Sequence, residues 1–267
     1  MNHHQFFDRL WHDYVDITPQ AEAIQQLFVE RGEQLINDHV AFRTLADSPV
    51  ELKRLQPLLE QLGYRAYGQY RFESKKLHAR AYMHEQDETA PKIFLSELEI
   101  DKLSDKVQAI LHTYIAQIPR DAASSPDIFW RGRLWAMPTH EAYRALRDES
   151  EYAAWLSVLG LRANHFTVSV NHLETLPNLK AVNHLLKEKG YALNDVGGEI
   201  KGSPKLLLEQ SSTLADRIAV TFAEGETHRV PSCFYEFALR YEESPGKLFQ
   251  GFIEGNADKI FESTHSH

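Results

Sequence analysis

One architectural segment of this chain is written twice. Residues 38–45, Asp-His-Val-Ala-Phe-Arg-Thr-Leu, and residues 164–170, Asn-His-Phe-Thr-Val-Ser-Val, are short, partly β-branched runs that read as strands, and each carries a histidine, His39 and His165. A helix-period stripe follows each: Leu52, Leu55, Leu58, Leu59 and Leu62 in the first, and Leu179, Val182, Leu185 and Leu186 within 175–189 in the second. Both stripes stop at Gly-Tyr, 63–64 and 190–191, so that 24 residues separate His39 from Gly63 and 25 separate His165 from Gly190. Strand-like runs come next, at 65–72, 77–84 and 92–100 in the first half and at 206–210, 217–222 and 233–241 in the second. The closing run of each half has a glutamate in mid-strand, Glu97 and Glu236, the second lying 13 residues farther from its histidine than the first. The surplus is expected between Leu193 and Pro231, where Gly and Ser cluster. The pattern predicts two βαβββ units, about 38–100 and 164–241, in an α+β fold.

The flanks read as helical. Phe6, Phe7, Leu10, Trp11 and Tyr14 form one stripe, and Ala23, Ile24, Leu27 and Phe28 a second that Gly32 can end. Ser48-Pro49 reads as the start of the first unit's helix, and Pro57 inside that helix predicts a kink. Residues 101–160 form a helical insert. It contains one stripe through Val107, Ile110, Leu111, Tyr114 and Ile115, a loop-like portion at 122–126, and a helix capped by Thr139 that runs through Tyr143, Leu146, Tyr152 and Trp155. Residues 248–261 carry a helical pattern (Phe249, Phe252, Ile253, Ile260) that fits a lid or a terminal helix. The whole, 1–267, is expected to be a single compact domain.

Composition narrows the function. With 43% apolar residues the chain can build a large core, and its single cysteine, Cys233, excludes an internal disulfide and any intramolecular cysteine-based zinc or iron–sulfur site. A net charge of −9 argues against general nucleic-acid binding, and an anionic ligand would need local Arg or Lys to hold it. No signal peptide and no membrane-length apolar run is visible, so a soluble cytoplasmic protein is expected. Fourteen histidines are the donors left for a metal site.

Two βαβββ units resemble the vicinal oxygen chelate fold, in which paired units curve into a cup and their first and last strands meet at its floor. His39, His165 and Glu236 would converge there as a two-His-one-carboxylate set, which with open positions suits non-haem Fe(II) and also admits Zn or Mn. Strand alternation puts Ala41 and Arg43 on the face of His39, with Val40, Phe42 and Thr44 opposite. Arg43 lies about 13 Å along the strand from His39, and its planar guanidinium suits a carboxylate held at its far end by the metal. Gln210, Ser211, Ser212 and Thr213 are candidate donors to a substrate. His78, His84 and His172 are candidates to support the ligands. Tyr235 and Cys233 read as core, and Trp130 and Trp135 as core or as a cover on the cup.

The segments 38–45, 164–168 (Asn-His-Phe-Thr-Val), 209–215 (Glu-Gln-Ser-Ser-Thr-Leu-Ala), 234–241 (Phe-Tyr-Glu-Phe-Ala-Leu-Arg-Tyr) and 257–264 (Ala-Asp-Lys-Ile-Phe-Glu-Ser-Thr) resemble the 2-oxoadipate dioxygenase/decarboxylase, or 2-hydroxyglutarate synthase, family. The resemblance implies Fe(II) on His39, His165 and Glu236, a substrate carboxylate on Arg43, and O₂ and a 2-oxo dicarboxylic acid as reactants. It implies that the 2-oxo acid chelates the metal, that CO₂ is lost at two steps, and that 2-oxoadipate yields 2-hydroxyglutarate. Other readings stay open on the residues alone. If Glu97 is a fourth ligand, glyoxalase-like lyase or isomerase chemistry on Zn or Ni is favoured. A metallohydrolase would need Glu97 as its base. A metal-free cup binding an organic molecule would leave both histidines tied up by protein hydrogen bonds.

Overall fold

The computed structural model describes residues 1–264. Two helices lead in, α1 (His3–Ile17) and α2 (Pro19–Glu30). Asn2 and Gln5 close a capping box at the first, and Pro19 opens the second. The first unit follows as β1 (Asn37–Leu45), α3 (Leu52–Gln61), β2 (Tyr64–Phe72), β3 (Leu77–His84) and β4 (Lys92–Leu98). The insert holds α4 (Asp105–Ile115), α5 (His140–Glu149) and α6 (Glu151–Leu159). The second unit is β5 (Ala163–Ser169), α7 (Leu179–Glu188), β6 (Lys201–Ser203), β7 (Leu208–Ser212), a hairpin of β8 (Arg217–Thr221) and β9 (Thr227–Pro231), and β10 (Phe234–Arg240). Helix α8 (Glu254–Ile260) comes last. Among the described residues no helix is long and apolar enough to cross a membrane.

The two units share one eight-stranded sheet, in the order β2-β3-β4-β1-β5-β10-β7-β6. Each unit pairs its first and last strands in parallel, β1 with β4 and β5 with β10, and the units join where β1 and β5 run antiparallel. The register at that seam is self-complementary. His39 faces Thr167, Val40 faces Phe166 and Ala41 faces His165, so a local two-fold between Val40 and Phe166 exchanges the two histidines. The irregularities obey the same two-fold: Asp38 is skipped between the Asn37 and His39 pairs, and Asn164 between the His165 and Ala163 pairs. A bulge re-aims the side chain it displaces, which is how a residue adjacent in sequence to each histidine reaches the histidine's own side of the sheet.

The back of the sheet is packed by aromatic residues. The Trp11 ring lies 5.1 Å from Phe166 and 5.8 Å from Tyr235, the Tyr14 hydroxyl donates to the Phe234 carbonyl, and Phe42 meets Phe129 at 4.9 Å. Both Gly-Tyr helix ends behave alike: Gly63 and Gly190 have φ of +91° and +84°, a left-handed exit that glycine adopts without cost.

Several expected boundaries move. Ser48 does not cap α3; its hydroxyl donates to the Leu45 carbonyl in the preceding turn, and the helix starts at Leu52. Pro57 leaves α3 continuous. The single helix expected from Thr139 through Trp155 is two, because Ser150 turns extended and its hydroxyl caps the second. The second unit's helix starts not at Thr175 but at Leu179, capped by Asn178. The run 217–222 forms a strand outside the main sheet, paired with β9; the place it was expected to fill beside the closing strand goes to β7, and the three-residue β6 takes the outer place. Residues 248–261 are α-helical over Glu254–Ile260, and a 3₁₀ turn continues from Phe261 to Thr264.

Candidate metal centre

His39, His165 and Glu236 are buried, and one potential ligand atom from each lies within 4.8 Å of the others. Glu236 Oε1 is 3.6 Å from His39 Nε2, and Oε2 is 3.2 Å from His165 Nε2. The tautomers follow from the opposite ring nitrogens. His39 Nδ1 donates to Asp38 Oδ1 at 2.7 Å, and His165 Nδ1 to Asn164 Oδ1 at 3.1 Å. With these tautomers the His39 Nε2 lone pair lies beside the carboxylate and accepts from Thr167 Oγ1 at 3.1 Å, and the His165 Nε2 lone pair faces the carboxylate, as metal-ligating imidazoles do when an acceptor holds their other nitrogen. The His165 lone pair against Glu236 Oε2, 3.2 Å away, is repulsive unless a metal ion or a proton lies between them. Glu236 Oε2 has no hydrogen-bond donor, and Oε1 has one, Gln210 Nε2 at 2.6 Å. Burial above all, with the nearby Arg43 charge adding to it, holds His165 well below the usual histidine range, so it is a neutral ligand. Burial pushes the Glu236 carboxyl up. The donor set fits a divalent transition metal such as Fe(II), and equally Zn or Mn.

The bulged Asp38 is the anchor. Arg240 grips it twice, Nε to Oδ2 at 2.6 Å and Nη2 to Oδ1 at 2.9 Å, while Arg240 Nη1 donates to the Phe249 and Gly251 carbonyls. Burial by itself would raise the Asp38 carboxyl; Arg240, Lys92 and His39 together hold it well below the carboxylate range. The second unit thus orients the first unit's histidine, and the same guanidinium fastens the segment that leads to α8.

A narrow cleft opens over these groups. Its lining includes Ala41, Arg43, Phe94 and Ser96 from the first unit, Asn164 and Gln210 from the second, and Phe252, Ala257, Ile260 and Phe261 from the segment around α8. Arg43 is 2% exposed, and among the described residues no carboxylate forms an ion pair with it. Nη2 donates to Thr264 Oγ1 at 3.0 Å, while Nε and Nη1 have no partner among the described residues. Trp155, Tyr152 and Phe261 surround the guanidinium at 4.9, 5.1 and 5.7 Å. Burial depresses it to about 10. A buried cation with two idle donors is a receptor for an anion.

Other expected residues lie elsewhere. Ser211 faces away from the cleft and donates to Asn183 on α7. Ser212 is fully buried against Ser263, and Thr213 accepts from the Tyr235 amide, so neither reaches the cleft. Glu97 is on the opposite face of β4, where Oε2 accepts from the Leu52 amide at the start of α3 and Oε1 lies 3.4 Å from His78. It is neither near the metal donors nor the counterpart of Glu236. His84 and His172 make local bonds, and Trp130 and Trp135 pack within the N-terminal helix and the insert. Asp38, Arg240 and the Tyr152–Trp155 cage escaped the sequence reading; the only signal was that Arg240 stands four residues, and hence one strand face, from Glu236. Two further His-carboxylate groups, His3-His4-Asp87 and His140-Glu226-His228, are half-exposed. In the second, the imidazoles stack nearly parallel at 3.6 Å, which keeps their in-plane lone pairs from converging.

Comparison with known proteins bears on this arrangement. The family model for 2-oxoadipate dioxygenase/decarboxylase matches residues 10–244. The chain is 34% identical over 94% of its length to the chloroplastic 2-oxoadipate dioxygenase/decarboxylase of Arabidopsis thaliana, spanning 74% of that protein. The crystal structure of the Oryza sativa hydroxyglutarate synthase in complex with 2-oxoadipate superposes with a TM-score of 0.90 at 33% identity, covering 97% of this chain and 91% of that one. A provisionally named hydrolase from Shewanella frigidimarina gives 0.89 at 44% identity over 95% and 98% of the two chains. At 22% identity, a glyoxalase-superfamily protein from Ralstonia eutropha shares the fold, with a TM-score of 0.78.

Proposed function

The chain belongs to the 2-oxoadipate dioxygenase/decarboxylase family, and on that premise we propose that it is an Fe(II)-dependent enzyme converting a 2-oxo dicarboxylic acid, 2-oxoadipate above all, and O₂ to the 2-hydroxy diacid one carbon shorter. One observation carries the reading: a single cleft is lined both by three converging donors, His39, His165 and Glu236, and by the buried Arg43 guanidinium. Fe(II), held by His39, His165 and Glu236, would supply the redox chemistry that a closed-shell acid needs to react with O₂, with positions left for the 2-oxo acid.

The protein's own part is positional. Asp38 and Asn164 fix the imidazole planes and Gln210 fixes the carboxylate. Arg43 takes the remote carboxylate, which aligns the reacting end without ordering it anew at each turnover. Phe94, Phe252, Ile260 and Phe261 keep water from the reacting atoms. The balance is 2-oxoadipate plus O₂ to 2-hydroxyglutarate plus CO₂. Six carbons become five and both oxygen atoms of O₂ stay in the organic product, so the second loss of CO₂ implied by the resemblance does not occur. A hydrolase would need a base beside the metal, and among the described residues lining the cleft Glu236 is the only carboxylate.

The test is anaerobic reconstitution with Fe(II), followed by 2-oxoadipate and O₂. One O₂ consumed and one CO₂ released per 2-hydroxyglutarate is the expected result, with His39→Ala inactive. No O₂ uptake with any 2-oxo acid across a chain-length series would overturn the proposal.

A further inference from the structure

The local two-fold that exchanges His39 and His165 also assigns a partner to Glu236, and it is not a ligand. Glu236 pairs with Thr167, two residues past His165; the residue that pairs with Ala41, two past His39, is Phe94. Gln210, which holds Glu236, pairs with Ala238, two past Glu236; the corresponding neighbour of Ser96, two past Phe94, is Ala79. The first unit therefore has an apolar pair, Phe94 and Ala79, where the second has a carboxylate and its donor. Phe94 faces the cleft, its ring 4.9 Å from Phe252, which in turn lies edge-on to His39 at 4.8 Å. Tyr70 packs behind Phe94 at 5.5 Å.

We propose that Phe94 determines the specificity of the centre by blocking the fourth ligand position that the fold's own symmetry provides. The inference rests on the three-ligand reading above. A carboxylate at 94 would approach from the first unit as Glu236 does from the second. It would occupy a position that bidentate substrate and O₂ need, and the open three-ligand set would become a closed four-ligand one of the kind found in structural metal sites. The aromatic ring does the opposite, presenting no donor and excluding water from that side.

Phe94→Glu, and Phe94→Glu with Ala79→Gln to supply the missing donor, test this against wild type. Zn(II) binding is measured by calorimetry and the Co(II) absorption spectrum is recorded without O₂, with and without 2-oxoadipate. The expected result is Zn(II) binding at least about tenfold tighter in the double variant, by analogy with what a single supporting hydrogen bond is worth at a metal site. The Co(II) spectrum should respond to 2-oxoadipate in wild type but not in the variants. If burying a carboxylate unfolds the metal-free single variant, saturating Zn(II) should raise its melting temperature more than it raises that of wild type. Wild-type metal affinity and an unchanged spectral response in both variants would overturn this inference alone. A wild type that binds no metal would overturn it together with the three-ligand reading.

Discussion

Arg43→Met should make the metal-free protein more stable and a poorer enzyme. Displacement of the guanidinium from 12.5 to about 10 by burial corresponds to a cost of about 3 kcal/mol for keeping it charged. The Trp155, Tyr152 and Phe261 rings return about 1–2 kcal/mol of that. Methionine has similar reach and no charge, so a gain of about 1–2 kcal/mol is left, or a melting temperature roughly 2–8 °C higher for a chain of this size. Substrate binding changes in the opposite direction. Nε and Nη1 are the idle donors, and two charge-assisted hydrogen bonds at about 1.5–3 kcal/mol each amount to a fall in kcat/KM of about 10²–10⁴. The control is 2-oxohexanoate, the same carbon chain without the remote carboxylate, on which the variant should lose less than about fivefold. Oxygen uptake and thermal melts measure both sides. Equal losses on the two acids, or a lowered melting temperature, would refute the assignment of Arg43 as an anion receptor.

Three other outcomes follow from the same geometry. Gln210→Leu removes the donor to Glu236 Oε1 and should weaken metal affinity about 10–100-fold by calorimetry while leaving the circular dichroism spectrum unchanged. Trp155→Leu opens one wall of the Arg43 cage from the insert and should raise KM for 2-oxoadipate about tenfold with little change in KM for 2-oxohexanoate, since the cage acts only through Arg43. Glu149 accepts from the Ser104 hydroxyl and amide and pairs with Lys76; the hydroxyl first, then Lys76, outweigh burial and lower it to about 2. A depressed carboxyl contributes stability that is present above its unfolded pKa near 4.5 and is lost as pH falls through about 2. Glu149→Gln, discounted for partial exposure, should therefore cost about 1–2 kcal/mol in chemical denaturation at pH 7 and almost nothing near pH 2.

The repeat was legible because each histidine strand, helix and Gly-Tyr stop is encoded locally. Residue types at matched spacing were enough to single out His39, His165 and Glu236 from a chain with fourteen histidines. Pairing Glu97 with Glu236 failed for a reason counting cannot detect. Register between β1 and β4 is set by long-range packing, and the true counterpart, Phe94, is three residues away and on the other face. The bulges at Asp38 and Asn164 were equally hidden, because alternation alone sends those side chains away from the histidines they hold. Ser211 and Ser212 were grouped with Gln210 as polar neighbours, yet period two turns Ser211 toward α7, and Ser263 covers Ser212. Nothing local announces that Phe252, Ile260, Phe261 and Thr264 cross from the chain's last described helix to roof a site built on strands far upstream.

The pairing of Phe94 with Glu236 also has a directional consequence. A centre that kept the fold's two-fold could not tell one direction across itself from the other, and a substrate would have two equivalent ways to lie. Here the two directions differ at every level: an aromatic ring against a carboxylate, Ala79 against Gln210, and Arg43 against its counterpart Ser169. A diacid can dock in one direction only, with its remote carboxylate on the Arg43 side. In this fold, a fixed direction of the substrate is the outward sign of a duplication whose halves have diverged.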